Sequence, residues 1–403
     1  MKPVEVKKDV YWVGVVDWDV RDFHGYLTEK GTTYNAYLML DEKKVLFDTV
    51  KHGFGSELLH RIYHLAKPEE IDYLVLNHLE PDHSGSVVEI VQRIKPEKIL
   101  VSPMGKKVLE GYYRSQAAGW PVEVVKSGDS IQTGQYSIQF LETRMVHWPD
   151  SMFSYIPQHK LLISNDGFGM HWATSQRFDD EVDFSELMGQ AAKYYANILL
   201  LYSPLIQKVL AKVQELGLEI DTIAPDHGLI WRQNPGAILE AYHRWSRQQV
   251  GSKALVVYDS MWHSTEMMAK AIYDGLVDEG LEVKLLNLDV SHRSDVMTEI
   301  LDAAGVVVGS STLNNNMLPR MADVLTYMRG LKPTGRVAAA FGSYGWSGEA
   351  VKQINAYLEE MKFQVVDPGI RVLYRPDHEQ LGACRELGRK VAQAVKDKLA
   401  AQG

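Results

Sequence analysis

Asn77-His78-Leu79-Glu80-Pro81-Asp82-His83-Ser84-Gly85 decides how this chain is read. It follows Asp72-Tyr73-Leu74-Val75-Leu76, an apolar run with a β-branched and an aromatic residue that reads as a buried strand. His78, Glu80 and Asp82 alternate, so an extended chain would aim all three the same way. Pro81 keeps Glu80 out of helical backbone. Ser84-Gly85 and the apolar residues Val87, Val88, Ile90 and Val91 then predict a helix start, with Asp82 or Ser84 as cap. Two imidazoles and two carboxylates between a strand and a helix make a metal site more plausible than a merely solvated loop.

Working outward, three later strand ends add donors of the same kind. Met145-Val146-His147-Trp148-Pro149-Asp150 offers His147, Ile163-Ser164-Asn165-Asp166-Gly167 offers Asp166, and Ile223-Ala224-Pro225-Asp226-His227-Gly228 offers His227. Alone, each is as readily a turn residue or a capped acid. Together with the loop they supply four imidazoles and three carboxylates, enough for two metal ions and too many for one. Three hard carboxylates suit iron at least as well as zinc, and donor type alone leaves zinc and manganese open.

The surrounding sequence has the composition of a soluble two-domain protein. Its 403 residues exceed one ordinary domain, and apolar residues make up 45%. A net charge of −9 argues against nucleic acid as a partner. No signal core and no membrane-length apolar run is present, so no membrane association is expected. The single cysteine, Cys384, excludes an intrachain disulfide and a multi-cysteine cluster, and a reducing cytoplasmic location follows as the expectation.

Strands are predicted at 10–16, 34–40, 45–48, 99–101, 122–125, 136–141 and 160–164, and a short one at 223–224. Helices are predicted at 54–65, 105–115, 184–200 and 204–216. Sheets packed between helix layers would account for residues 1–250. From residue 251 the pattern resets to strict strand–helix alternation through residue 403. It predicts a five-stranded parallel, doubly wound αβα unit with strands at 254–258, 282–287, 305–309, 336–341 and 364–366.

Three loops at strand ends of this second unit carry its chemistry. The first, Ser260-Met261-Trp262-His263-Ser264-Thr265, opens a helix whose N–H groups and hydroxyls suit a phosphate. It has no lysine and is not a nucleotide triphosphate loop. The second is Ser311-Thr312-Leu313-Asn314-Asn315, and the third is Ser343-Tyr344-Gly345-Trp346-Ser347-Gly348. Ligands bind at the carboxyl ends of strands in such sheets, and Trp262, Tyr344 and Trp346 are candidates to flank a flat ring. The three loops resemble those of flavodoxin and imply FMN, held by Ser260, Met261, Trp262, Ser264, Thr265, Ser311, Thr312, Asn314, Asn315, Ser343, Tyr344, Gly345, Trp346 and Gly348.

The His-x-x-x-Asp-His loop with its later His, Asp and His resembles the metallo-β-lactamase fold. Zinc hydrolases of that fold read His-x-His-x-Asp-His, and Glu80 stands here where the second histidine belongs. A lactamase-like metal domain followed by a flavodoxin-like domain is similar to the flavodiiron proteins, or A-type flavoproteins. Gly31-Thr32-Thr33-Tyr34-Asn35-Ala36-Tyr37, His147-Trp148-Pro149-Asp150-Ser151-Met152 and Tyr194-Tyr195-Ala196-Asn197 extend the likeness across the chain.

This resemblance implies two non-haem iron ions. His78, Glu80 and His147 would hold one, Asp82, His83 and His227 the other, and Asp166 would bridge. For His83 it implies two states, ligand or swung away with water in its place. His24 and Tyr195 match positions beside the metals that would serve catalysis, and His171 is a weaker match. The implied reaction is reduction of O2 to water, or of NO to N2O, with electrons passing through FMN. Two ferrous ions and reduced FMN together hold the four electrons O2 needs. Rubredoxin is the implied separate donor, and a head-to-tail homodimer or a dimer of dimers the implied assembly. Two other classes remain: a zinc hydrolase joined to an electron carrier, which Glu80 disfavours, and a flavin carrier with a degenerate metal domain, which the complete donor set disfavours.

Overall fold

Apolar residues in the first half alternate between two hydrophobic clusters, as period-2 side chains of a covered sheet must. Phe47, Val75 and Leu100 enter the cluster that contains Ile138, Phe140, Ile156 and Ile163. Their neighbours Leu46, Leu74, Leu76, Ile99 and Val101 enter another, with Leu58, Ile62, Ile90 and Ile94 of two helices. In the computed structural model, which describes residues 2–401, this alternation is a seven-stranded sheet packed face to face on a five-stranded one.

The larger sheet runs Val4–Lys7, Val10–Trp12, Tyr37–Met39, Lys44–Phe47, Ile71–Leu76, Lys98–Val101, Val122–Val124. The smaller runs Ser130–Gln132, Ser137–Glu142, Met152–Ile156, Leu161–Ile163, Thr222–Ala224. Helices Gly55–Tyr63 and Val87–Ile94 cover the outer face of the larger sheet.

The predicted strands 10–16 and 34–40 each break in two, and at one place. A Cβ on Gly14 would lie 2.4 Å from Tyr34 O and 2.6 Å from Asn35 Cα, so the two backbones meet there too closely for a side chain. Beyond that meeting point Val15–Asp17 pairs with Thr32–Tyr34 as a separate ribbon. The predicted helix 184–200 stops at Tyr194 and continues as a π turn, Tyr195–Leu199. Strand Met152–Ile156, wholly buried inside the smaller sheet, and helix Pro235–Ser246 were not predicted.

The chain groups into two compact units, Met1–Tyr194 with Pro204–His243, and Tyr195–Ser203 with Arg244–Gly403. This break precedes the expected boundary at 250. Within the second unit Asn197 Nδ2 donates to Ser294 O (3.1 Å), and the Tyr327 hydroxyl donates to Asn197 Oδ1 (3.0 Å).

The second unit is the doubly wound sheet, ordered Glu282–Asn287, Gly251–Asp259, Ala303–Ser310, Val337–Tyr344, then the fifth strand, all parallel. That fifth strand, predicted as one segment, is two. Gln364–Val365 pairs with the start of Val337–Tyr344 and Ile370–Leu373 with its end. Between them Gly369 has φ 98°, and a Cβ there would meet Val351 Cγ1 at 2.5 Å. No helix among the described residues is long and apolar enough to cross a membrane.

Candidate functional site

The loop after Ile71–Leu76 does not stay extended as expected. Glu80 is extended (φ −58°, ψ 143°), but Pro81–Ser84 forms one helical turn, and a second helix starts at Val87 behind Ser86. Asp82 and Ser84 are therefore inside a helix and cap neither one. The turn also divides the donors. His78 and Glu80 join His147 and Asp166 in one buried group, while Asp82 and His83 join His227 in another.

Asp166 links the groups. Its Oδ2 lies 2.8 Å from His147 Nε2 and 3.3 Å from His78 Nε2; its Oδ1 lies 3.0 Å from His83 Nε2 and 3.4 Å from His227 Nε2. Glu80 Oε2 is 3.1 Å from His147 Nε2, and Asp82 Oδ2 is 3.2 Å from His227 Nε2. Two donors bonded to one ion at roughly 2.1 Å sit about 3.0–3.4 Å apart, which is the spacing found here.

Backbone and side-chain partners aim these donors. Asp150 Oδ2 accepts from His78 Nδ1 (3.2 Å) and Leu79 N (2.7 Å), leaving His78 Nε2 turned inward. His227 Nδ1 donates to Thr33 O (2.7 Å), with the same result. Asn35 N and Nδ2 bond Asp226 O and Pro225 O, so the segment around Thr33 clamps the His227 loop. Asp48 accepts from the backbone and side chain of Asn77 and anchors the first loop.

Burial pulls His78, His83 and His147 toward their neutral forms, and the carboxylates reverse the effect. Asp166 and Glu80 push His147 up to about 9, and Asp82 and Asp166 push His83 up to about 10. Burial raises the proton affinity of Asp166, but His83, His147 and His78 hold it well below the usual carboxylate range. Both Asp82 oxygens, Asp166 Oδ1, both His83 nitrogens and His227 Nε2 are buried without a hydrogen-bond partner. Such groups cost about 1–3 kcal/mol each when unpaired. A nest of carboxylates and imidazoles with unpaired donors fits a pair of divalent cations, which would take the place of the protons that the carboxylates hold on the imidazoles.

Exposed His24 reaches the group from outside, with Nε2 donating to Glu80 Oε1 at 2.7 Å. Tyr195 is placed elsewhere: its hydroxyl bonds Ser203 Oγ (3.0 Å) and its ring packs on Trp245. The tyrosine beside the histidines is Tyr194, whose ring lies 5.1 Å from His171 and 6.1 Å from His227. Adjacent helical residues point about 100° apart, so only one of the pair can face the site. His171 is buried against His227 (4.7 Å), bonds Thr32 Oγ1 (2.8 Å), and burial holds it well below the usual histidine range.

In the second unit a cleft of about 450 Å³ opens at the carboxyl end of the sheet. Met261, Trp262, Ser264, Ser311, Thr312, Ser343, Tyr344, Gly345 and Trp346 line it. Thr265 lies under its floor, bonded to Ser311 Oγ and Ser343 Oγ (2.9 Å each). Ser260 Oγ is buried and has no partner. Asn314 and Asn315 form the tip of a small hairpin, where Asn315 Oδ1 accepts from Ser347, and Gly348 caps helix Glu349–Glu360.

No side chain caps helix Ser264–Asp278, and its first residue, Ser264, lines the cleft, an arrangement suited to a phosphate. Leu313, Tyr374 and Arg375 also line the cleft and were not predicted. Tyr374 follows the second half of the split strand. Exposed Trp262, Trp346 and Tyr374 give this opening an apolar rim suited to a flat ring.

Residues 32–228 match the ODP family beta lactamase, and residues 256–388 match flavodoxin. The chain is 47% identical to a nitric oxide reductase of Moorella thermoacetica, over 98% of this chain and all of that protein. The solved structure of rubredoxin oxygen:oxidoreductase from Desulfovibrio gigas is 41% identical with a TM-score of 0.97, covering 99% of this chain and 100% of that one. A flavodiiron protein from Giardia intestinalis is 36% identical with a TM-score of 0.96, over 99% and 98% of the two chains. Two adjoining groups of candidate metal donors on a lactamase-like unit, a flavodoxin unit beside it in sequence, and likeness along the whole length together establish that this chain belongs to the flavodiiron protein family.

Proposed function

We propose that this chain is an oxidoreductase that reduces O2 to water at a pair of non-haem irons, with electrons delivered by rubredoxin through FMN. The observation that carries the reading is the division of the Asp166 oxygens between two donor groups, in a chain that also has an open flavodoxin-type cleft. His78, Glu80 and His147 would hold one iron, and Asp82, His83 and His227 the other. NO reduction to N2O is the second reading, favoured by the 47% identical relative named for it.

When bound, two ferrous ions and a reduced flavin would supply the four electrons that O2 requires. The chain's own residues govern orientation, water and protons. Asp150 and Thr33 keep His78 and His227 turned to the metals. Phe23 packs on His24 (4.3 Å) and His171 (4.7 Å) and orients both rings. His24 holds a proton at Nε2 against Glu80 and, being exposed, exchanges it with solvent. Burial and then Asp166 keep the Tyr194 hydroxyl protonated, which makes it a donor beside the site. A head-to-tail dimer would bring the flavin of one chain to the metals of the other, and a reducing cytoplasm suits the single buried thiol.

The test is iron, zinc and flavin analysis, followed by anaerobic stopped-flow of the reduced protein against O2 and against NO. Rapid flavin oxidation by O2 with iron present supports the reading. Faster oxidation by NO moves it to the second, and full occupancy by zinc with no oxidation by either gas removes both.

A further inference from the structure

Outside the donor nest, one arrangement of side chains has no part in the function above. The Trp148 ring stands edge-on to His78 at 5.5 Å, with 79° between the planes. Tyr112 lies 6.4 Å from Trp148, Tyr113 6.2 Å from Tyr112, and Trp120 6.4 Å from Tyr113, stacked. Two readily oxidised rings, Trp148 and Tyr112, thus lead without a gap from a metal-group histidine to the surface, where Tyr112 is 54% exposed, and Tyr113 and Trp120 extend the series behind Tyr112. Trp148 and Tyr112 also wall an open cleft with Val108, Gly111, Arg114 and Pro149. The Tyr113 hydroxyl donates to Ser84 O (2.6 Å), tying helix Pro103–Tyr113 to the donor loop.

Packing alone explains this poorly. Phenylalanine or leucine would fill the same space, and a ring kept for burial would not stand half in solvent as Tyr112 does. Indole and phenol differ from phenylalanine in giving up an electron and a proton at accessible potentials. We propose that Trp148 and Tyr112, with Tyr113 and Trp120 behind them, form an escape path that carries oxidising equivalents from the metal group to the surface. The proposal rests on the O2-reducing reading above.

The path acts when O2 at the site has received fewer than its four electrons. That under-reduced oxygen takes one electron from Trp148, whose indole N–H proton passes to solvent. Tyr112 then returns one electron to Trp148, which recovers a proton from solvent, and Tyr112 loses its phenolic proton. A soluble thiol gives the surface tyrosyl radical a hydrogen atom, and two thiyl radicals pair as a disulfide. Each passage supplies the site with one missing electron and leaves the protein unchanged.

The experiment uses full-length protein loaded with iron and flavin, given excess O2 and too little reductant, and frozen at successive times for electron paramagnetic resonance. Wild type should show a tyrosyl signal that added thiol removes. Tyr112→Phe should hold the radical as tryptophanyl. Trp148→Phe should lose the signal and inactivate in several-fold fewer turnovers, with oxidised residues accumulating in the donor loops by mass spectrometry. Its iron content and its initial O2 uptake under full reductant should match wild type.

Trp148→Tyr should restore signal and endurance, which a packing role met equally by phenylalanine would not require. Equal radical yield and equal endurance in wild type and Trp148→Phe overturn the path. Normal O2 uptake without any aromatic radical overturns it alone, whereas absence of O2 uptake overturns it together with the proposed function.

Discussion

The two candidate sites solve opposite problems. The metal nest is buried, charged and over-supplied with donors; each donor whose outer contact is described leans on a neighbour such as Asp150 or Thr33. The cleft of the second unit is open and nearly neutral, lined by hydroxyls and rimmed by exposed rings. A small cation is recognised by donor geometry, which must be preset to tenths of an ångström. A large flat cofactor brings its own apolar surface, so the protein can leave rings exposed until it arrives. Substitutions should therefore act locally and strongly in the nest, and by exclusion in the cleft.

The largest effect is expected for Asp166→Ala. It removes the carboxylate whose two oxygens face both groups, so metal analysis should show loss of both ions with flavin retained. Retention of both ions would break the comparison, because the nest would then be two independent sites. Next is Ser264→Glu, which sets a negative charge at an uncapped helix N-terminus. Flavin content should fall to near zero while iron stays at the wild-type level; co-loss of iron would show that the two sites are not separate. Asp150→Asn should weaken metal binding by about 10–100-fold, since the amide no longer holds the proton on His78 Nδ1 as a carboxylate does. A chelator titration measures it.

The smallest effect is an acid one. Hydrogen bonds from Arg385 and Arg389 lower Asp278 to about 2. A carboxyl depressed on folding stabilises above its unfolded value, about 3.9, and loses that contribution as pH falls toward 2. Asp278→Asn should therefore lower Tm slightly near pH 6, and the difference should vanish near pH 2.

The donors of the nest were legible in the sequence because histidines and acids at the ends of apolar strands are uncommon and few in kind. Their supports were not. Thr33 acts through a backbone carbonyl, and Asp48 through Asn77, 29 residues further along the chain, so neither leaves a local signal. Tyr194 and Tyr195 are chemically equal in sequence; only the helical phase and the π turn after Tyr194 separate them. The helical turn at Pro81–Ser84 defeated the extended reading of the donor loop, although Pro at the first helical position is itself a start signal. In the cleft, Tyr374 and Arg375 escaped notice because their place depends on a fifth strand that resumes after Gly369.

Beneath that cleft, Thr265, Ser311 and Ser343 form a triangle of hydroxyls, with edges of 2.9, 2.9 and 3.4 Å, joining three loops from three different strand ends. The triangle couples the three positions energetically. Thr265→Val leaves the two serines only their 3.4 Å contact, and an alanine at either serine takes from the threonine one of its two partners. Single steps away from the triangle are therefore costly, while a joint change of all three to apolar residues is mild. A library randomised at these positions and selected for folded protein alone should return them as a block, either all hydroxyl or all apolar. The three loops are thereby coupled, so that a change in one is felt in the other two.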